Sequence, residues 1–210
     1  LSPPQSRERG AMRPLLRALR SWSFLSPSLS IFLYVLVEAS IVVYANLYLR
    51  HLHHAPENWA IYTLSLFWAL MLVGRGLCAL LPERQSYERM VGLLFALSAM
   101  GMLLQGMADS WRASVVVFAL CGLLFSGIWP LLVALASARA GAGPHHASLV
   151  GLTIAAGALG CIAAPPLMNA LLTWLPERLI FAVLALPLGL AAVFVMWLPA
   201  RNPSGSPKAV

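Results

Sequence analysis

The hydrophobic positions of this chain form six long runs separated by short polar segments. The runs cover residues 28–49, 59–81, 90–108, 111–138, 147–173 and 178–198. Each run reaches or approaches the ~20 residues that a helix needs to cross about 30 Å of hydrocarbon at about 1.5 Å per residue. The pattern predicts an all-α, polytopic membrane protein with a six-transmembrane-helix bundle over residues 28–198.

Polar segments flank this bundle on both sides. Residues 1–27 are rich in Arg, Pro and Ser and are predicted to form a cytoplasmic basic linker. Within it, Arg13–Arg20 forms either a short interfacial helix or a flexible stretch. Residues 199–210 are predicted to be a cytoplasmic disordered tail, because this composition offers too little apolar surface to bury.

Composition excludes an ordinary soluble domain. The chain is 60% hydrophobic and only 10% charged, whereas soluble domains carry about 25% charged residues. The net charge of +7 is concentrated in segments that flank the runs. This placement indicates contact with a lipid bilayer and argues against nucleic acid as a partner.

The positive residues also predict an orientation. On one side of the predicted bundle lie Arg50, Arg112 and Arg178, and most of the other Lys and Arg residues lie on the side that carries both termini. The positive-inside rule therefore predicts cytoplasmic termini in a plasma (bacterial inner) membrane.

Glu38 is the only acidic residue deep within the first run. At 100° per residue, Tyr34 and Glu38 share a helix face that Asn46 borders. A carboxylate in hydrocarbon costs a few kcal/mol, so such residues usually bind a ligand or carry a proton. Glu38 could bind a cation, take up a proton or accept hydrogen bonds from a polyol; the alternative is a neutral Glu bonded to a neighbouring helix. We predict that Glu38, Tyr34 and Asn46 act in substrate binding or proton coupling.

Arg75 is the candidate gating residue. It lies between Gly74 and Gly76 near the end of the second run, and Pro82-Glu83-Arg84 follows. Glycines on both sides permit close approach of another helix, which suits a compact gate. The alternative is an anchor whose side chain extends to the membrane surface.

Weaker candidates for the same cavity lie on other runs. Ser126 and Trp129 share a face of the fourth run, and Trp129 could offer a stacking surface to a substrate ring, although such aromatics more often pack. Further polar or aromatic candidates are Trp68, Gln105 and Asn169. The proline pairs and glycines at 127–130, 165–166 and 187–189 are expected to interrupt the last three runs.

No pattern in the sequence predicts an enzyme, a cofactor or a metal site. Three isolated cysteines lie within apolar runs, and the HLHH segment at 51–54 lacks the companion ligands of a metal site. Phosphate-binding and nucleophile motifs are absent.

Several segments together resemble a known family. They are FLYVLVEASIVVYANLYL, FWALMLVGRGLCALLPE, GLLFSGIWPLLVALAS and ASLVGLTIAAGALGCIAAPPLMNAL, in this order. The chain resembles the C-terminal six-helix half of a major facilitator superfamily transporter, and is most similar to the fucose permease-like sugar transporters. It differs from them at Val37 and Tyr44, where they tend to have Gly and Trp.

The resemblance implies a proton-coupled symporter for a small, sugar-like solute, with substrate held between two six-helix bundles. Glu38 and Arg75 match a Glu and an Arg of these relatives. A six-span chain beginning with Leu is then expected to be half of a twelve-helix major facilitator fold, completed by a missing N-terminal half or a second copy. The alternatives are efflux of hydrophobic compounds and a non-transporting, truncated membrane remnant.

Overall fold

The regular structure of the chain is helical throughout the residues that the structure describes. The computed structural model describes residues 20–80, 86–141 and 145–197. We number its helices α1 Trp22–His51, α2 Glu57–Ala79, α3 Tyr87–Met107, α4 Trp111–Phe125, α5 Ile128–Ala140, α6 His146–Trp174, α7 Glu177–Val183 and α8 Ala185–Met196.

These helices form six candidate membrane spans, as the hydrophobic runs predict. α1, α2, α3 and α6 each provide one span, while α4 with α5 and α7 with α8 form one span each. By length and apolar composition, each of the six is able to cross a membrane. The predicted all-helical, six-span bundle is therefore confirmed.

The first helix begins earlier than the first hydrophobic run. α1 starts at Trp22, so residues 22–27, which the sequence assigns to the linker, are helical and include Pro27 within the helix. Ser26 and Pro27 are buried, which explains how a polar, proline-containing segment joins the bundle. The rest of the linker before Arg20, the segment 82–84 and the tail 199–210 lie outside the described residues.

Two spans are interrupted before a proline. The fourth breaks between Phe125 and Ile128, and Pro130 is the third residue of α5; the sixth breaks at Leu184, and Pro187 is the third residue of α8. Proline removes an N–H donor and its ring clashes with the carbonyl four residues earlier, so the helix restarts just ahead of it.

The expected interruption at Pro165 and Pro166 is wrong. Both residues lie inside α6, which continues from His146 to Trp174. They are exposed, whereas Gly160 and Ala164 on the same helix are buried. The prolines therefore lie away from the packed face, and close packing of that face against α1 keeps the helix continuous.

α1 lies at the centre of the packing. It makes its most extensive contact with α6 and also packs against α8, α5 and α2, while α2 packs mainly on α4. Two glycines allow the closest crossings. A Cβ on Gly160 would lie 2.4 Å from the Phe32 carbonyl oxygen, and one on Gly122 would lie 2.1 Å from that of Phe67. At both crossings the helix backbones are in direct contact, as small residues permit in membrane bundles.

Exposed aromatic side chains mark both ends of the bundle. We call the end with the start of α1 and the end of α8 the terminal end, and the end with the α1–α2 connection the hairpin end. Trp22, Tyr87 and Trp197 are exposed at the terminal end. Trp59, Tyr62 and Trp174 are exposed at the hairpin end. Tryptophan and tyrosine concentrate at membrane–water interfaces, so these residues indicate where the headgroup regions lie.

Candidate functional site

α1 is the most buried of the six spans, but one stripe of it remains uncovered. Glu38 is half-buried near the middle of the helix, Val42 one turn later is exposed, and Asn46 one further turn on is half-buried. α1 packs against α2 and α6, which are the least buried spans. Glu38 therefore lies at mid-depth, on a side of the bundle that the described helices leave open.

The carboxylate of Glu38 is held by Tyr34. The Tyr34 hydroxyl donates to Glu38 Oε1 at 2.9 Å and lies 3.4 Å from the carbonyl oxygen of Phe125. The Tyr34 side chain is fully buried, and its ring contacts that of Phe125 with centroids 5.6 Å apart. The buried Tyr34 thus orients the half-buried Glu38, and the Tyr34 hydroxyl also contacts Phe125, the last residue of α4.

Among the described residues outside α1, Arg75 is the charged group that influences Glu38. The two groups interact electrostatically, although they form none of the ion pairs seen among the described residues. Arg75 Nη2 lies 3.6 Å from the sulfur of Met71, one turn earlier on α2. The guanidinium is therefore directed back along α2, away from the terminal end and toward the depth of Glu38.

Gly74, the residue before Arg75, lies at a close helix contact. A Cβ on Gly74 would lie 2.2 Å from Ser126 Oγ, so α2 is in contact with the junction of α4 and α5 at this point. Ser126 is buried, and its hydroxyl donates to the Leu123 carbonyl at 2.6 Å. Of the predicted site residues, Ser126 is thus a packing contact of Gly74, and its hydroxyl is bonded to its own helix.

Trp129 and Trp68 lie on two different sides of the bundle. The Trp129 ring is half-buried and lies 2.9 Å from where a Gly157 Cβ would be. It thus fills the space between α5 and α6. Trp68 is exposed on α2, and its ring edge contacts Phe67. Trp68 is thus open to the surface of the bundle, whereas Trp129 is mainly a packing residue.

The three predicted amide residues differ in burial and in their partners. Asn46 is half-buried on α1 and Asn169 is exposed on α6. Gln105 is fully buried; its side-chain N–H₂ donates to Ser114, and its backbone carbonyl oxygen accepts from the Tyr48 hydroxyl at 3.2 Å. Tyr48 follows Glu38 by ten residues, or about 15 Å of helix. Gln105 therefore belongs to a separate polar cluster toward the hairpin end, not to the surroundings of Glu38.

Another group of titratable residues lies beyond the membrane-spanning part of α1. His53 packs edge-on against Tyr48, and burial, together with the positive charge of Arg178, lowers the pKa of its imidazole. His51 lies 3.8 Å from Glu177. Among the described residues, no three His, Cys, Asp or Glu side chains are close enough to hold a metal ion.

Sequence reasoning missed two contacts of the site. The carbonyl of Phe125 beside Tyr34 and the sulfur of Met71 beside Arg75 are both contributed by apolar residues. Pro130 gives a signal for the first, because a proline that interrupts a helix leaves carbonyl groups before it without their usual partners. No pattern in the sequence marks Met71.

The fold and this site define an integral membrane protein with a half-buried carboxylate at mid-depth. Residues 28–209 match the Major Facilitator Superfamily, so the chain belongs to this family of membrane transporters, which are not enzymes. A lipid bilayer and a transported solute are its partners accordingly. No curated protein and no solved structure matches the chain.

Proposed function

We propose that the chain is one half of a proton-coupled solute transporter in which Glu38 carries the proton. The observation that supports this most directly is the 2.9 Å hydrogen bond from Tyr34 to Glu38, in the middle of a membrane helix and within the field of Arg75. An ionisable group kept at this depth is a functional candidate by default, and proton transfer is one of the roles of such groups.

The coupling follows from the change in charge. When Glu38 is ionised, the Tyr34 hydroxyl and the attraction to Arg75 stabilise its charge. Both interactions are present in the state in which this side of the bundle is open. When protonated, it loses the attraction to Arg75 and is far less costly to enclose in an apolar environment. Protonation therefore favours a state in which this side of the bundle is covered, and deprotonation favours a state in which it is open.

The proposed site needs a second wall. Glu38 lies on an uncovered side of the bundle, and alternating access moves one bundle against another around a central site. We assign the second wall to an N-terminal six-helix half or to a second copy of this chain. Asn46, Trp68 and Asn169 reach the surface and are proposed contacts of the solute, with Arg75 as the gating residue. We place both termini in the cytoplasm of a plasma membrane, from the distribution of Lys and Arg.

The solute class has two candidates. The resemblance to fucose permease-like proteins supports a sugar-like solute. The immediate contacts of Glu38 and Arg75 support a solute with an apolar body, since they include Tyr34, Met71 and, through Tyr34, Phe125. A sugar requires several hydrogen-bonding side chains, and the amides of Gln105 and Asn46 make no contact with Glu38. Efflux of hydrophobic compounds is therefore the second candidate.

The experiment measures solute uptake into proteoliposomes that contain the complete transporter, with and without an inward proton gradient. Glu38→Gln should abolish the effect of the gradient, because an amide cannot take up the proton. Glu57→Gln is the matched control, since Glu57 is exposed at the hairpin end. Gradient-driven uptake that survives in Glu38→Gln would overturn the proposal. Comparing neutral sugars with hydrophobic dyes as solutes separates the two substrate classes.

A further inference from the structure

The terminal end of the bundle contains a cleft that the proposed transport site does not use. It has a volume of about 110 Å³ and lies between the start of α1, the end of α5 and the start of α6. One water molecule needs only about 10–15 Å³ of such space, so the cleft accommodates a group of several heavy atoms. Its lining residues are Ser21, Ser23, Phe24, Pro27, Ala136, Arg139, Ala140 and Leu149.

The cleft has a polar and an apolar part. Ser21 and Ser23 contribute hydroxyl groups, and Arg139 contributes a guanidinium whose side chain is only 9% exposed. Glu88 holds this guanidinium in place with an ion pair of 2.7 Å. Phe24 and Leu149 supply apolar surface beside the polar groups. A cationic wall next to an apolar wall suits a ligand with an anionic head and a hydrocarbon body.

The start of α1 adds to the positive potential of the cleft. Ser21 is the N-cap of this 30-residue helix. The first backbone N–H groups of a helix have no partner within it, and the helix dipole favours an anion there. Arg20 precedes the cap, and Arg89 follows Glu88 in sequence.

The depth of the cleft in the membrane indicates which kind of anion it binds. Trp22 lies between the two lining serines and is exposed, as are Tyr87 and Trp197 at the same end. These aromatic residues place the cleft at the level of the lipid headgroups. The anions concentrated at that level are the phosphodiesters of membrane lipids, and basic pockets between membrane helices bind such groups.

We propose that this cleft binds the phosphate headgroup of an anionic phospholipid, with Arg139, Ser21 and Ser23 as its polar contacts. The lipid links α1, α5 and α6 at the terminal end, and its acyl chains continue along the apolar surface beside Phe24. This site is independent of the transport site at Glu38.

The test titrates the purified full chain in detergent with phosphatidylglycerol, or with phosphatidylcholine, and counts bound lipid by native mass spectrometry. One phosphatidylglycerol should bind more tightly than phosphatidylcholine. Arg139→Gln should weaken it about fivefold to tenfold, from the loss of one cationic contact. Ala140→Leu should weaken it similarly by filling the cleft. Arg112→Gln is the matched control, because it removes an exposed arginine at the hairpin end.

Ala140→Leu changes no charge, so it still tests whether phosphatidylglycerol binds in the cleft if Arg139→Gln fails to fold. Unaltered phosphatidylglycerol binding in Ala140→Leu, or equal binding of phosphatidylcholine, would overturn the proposal. Inorganic phosphate is the third arm. If phosphate alone displaces phosphatidylglycerol at equal concentration, the ligand is a free anion and the lipid assignment is wrong.

Discussion

Tyr34 and Glu38 lie one helical turn apart on α1, and the buried hydroxyl of the tyrosine donates to the carboxylate of the glutamate at 2.9 Å. Tyr34 also rests against the Phe125 carbonyl, at the break in the fourth span. The orientation of Glu38 thus depends on the packing between α1 and α4. A movement of α4 relative to α1 would therefore change the hydrogen bonding of the carboxylate, and we propose that it would also change the proton affinity of Glu38.

Removing the hydroxyl of Tyr34 should impair coupled uptake without unfolding the bundle. Tyr34→Phe keeps the ring that contacts Phe125 but removes a hydrogen bond to a charged group, worth roughly 1.5–3 kcal/mol. We expect gradient-driven uptake to fall by roughly tenfold or more. Tyr62→Phe, at an exposed position on α2, is the control and should behave as the unmodified protein. If the two variants show equal rates of gradient-driven uptake, the Tyr34 hydroxyl has no role in coupling.

A methyl group at Gly160 should destabilise the bundle. The added Cβ would lie 2.4 Å from the Phe32 carbonyl and 3.0 Å from the Leu36 amide nitrogen, both backbone atoms of α1. Forcing the helices apart should cost roughly 1–3 kcal/mol of unfolding free energy. Gly151→Ala is the control on the same helix, because its Cβ meets nothing within 4 Å. Unfolding in detergent with increasing dodecyl sulfate measures both; equal stabilities would show that α1 and α6 do not cross at Gly160.

The ion pair between Glu88 and Arg139 should stabilise the bundle more than the pair between Asp109 and Arg178. Arg139 and Glu88 are 9% and 26% exposed, whereas Arg178 and Asp109 are 53% and 83% exposed. Removing one partner of a buried pair leaves a buried charge and costs up to about 3–5 kcal/mol; an exposed pair contributes about 0–1 kcal/mol. Glu88→Gln should therefore lower the unfolding free energy clearly more than Asp109→Asn. The reverse order would contradict the burial of the Glu88 pair.

Stability should fall as the pH drops below the ordinary pKa of histidine, in part because of His53. Burial and Arg178 lower the pKa of its imidazole below the ordinary value of 6.5, against a smaller opposing effect of Asp109. Below pH 6.5 the unfolded chain thus binds more protons at this position than the folded protein does. The contribution of His53 to the free energy of unfolding is present above pH 6.5 and is lost as the pH falls toward the lowered pKa.

His53→Asn should flatten this dependence, as measured by the midpoint of thermal unfolding between about pH 5 and pH 8. His54→Asn is the control, because His54 is exposed and its charge is the smallest of the causes that shift the pKa of His53. If His54→Asn flattens the dependence of the unfolding midpoint on pH and His53→Asn does not, then His53 is not the origin of this dependence.

The sequence was sufficient to predict the spans, because a membrane-crossing helix requires a long apolar run and leaves little freedom in its length. It was also sufficient to place Tyr34 beside Glu38, since residues four apart on a helix lie next to each other. Both predictions depend on distances along one helix.

The residues that come together from different helices were harder to predict. Gln105 and Ser126 are polar and lie in apolar runs, as cavity residues do, but Gln105 pairs with Ser114 and Ser126 bonds to its own helix. The partner of each polar group depends on how its helix is rotated about its own axis. A run that is apolar on all sides does not reveal this rotation. Pro165 was misjudged because the packing of α6 against α1, which supports a continuous helix, is not visible in the sequence of one run.

The central claim is that Glu38 carries the transported proton. The most direct test compares two modes of transport in proteoliposomes containing the complete transporter: accumulation driven by a proton gradient, and exchange of labelled for unlabelled solute without a gradient. If Glu38 couples proton and solute, Glu38→Gln retains exchange and loses accumulation, while Glu57→Gln keeps both. Accumulation by Glu38→Gln at the rate of the unmodified protein would contradict the claim, and loss of both modes would show that Glu38 is needed for solute movement itself rather than for coupling.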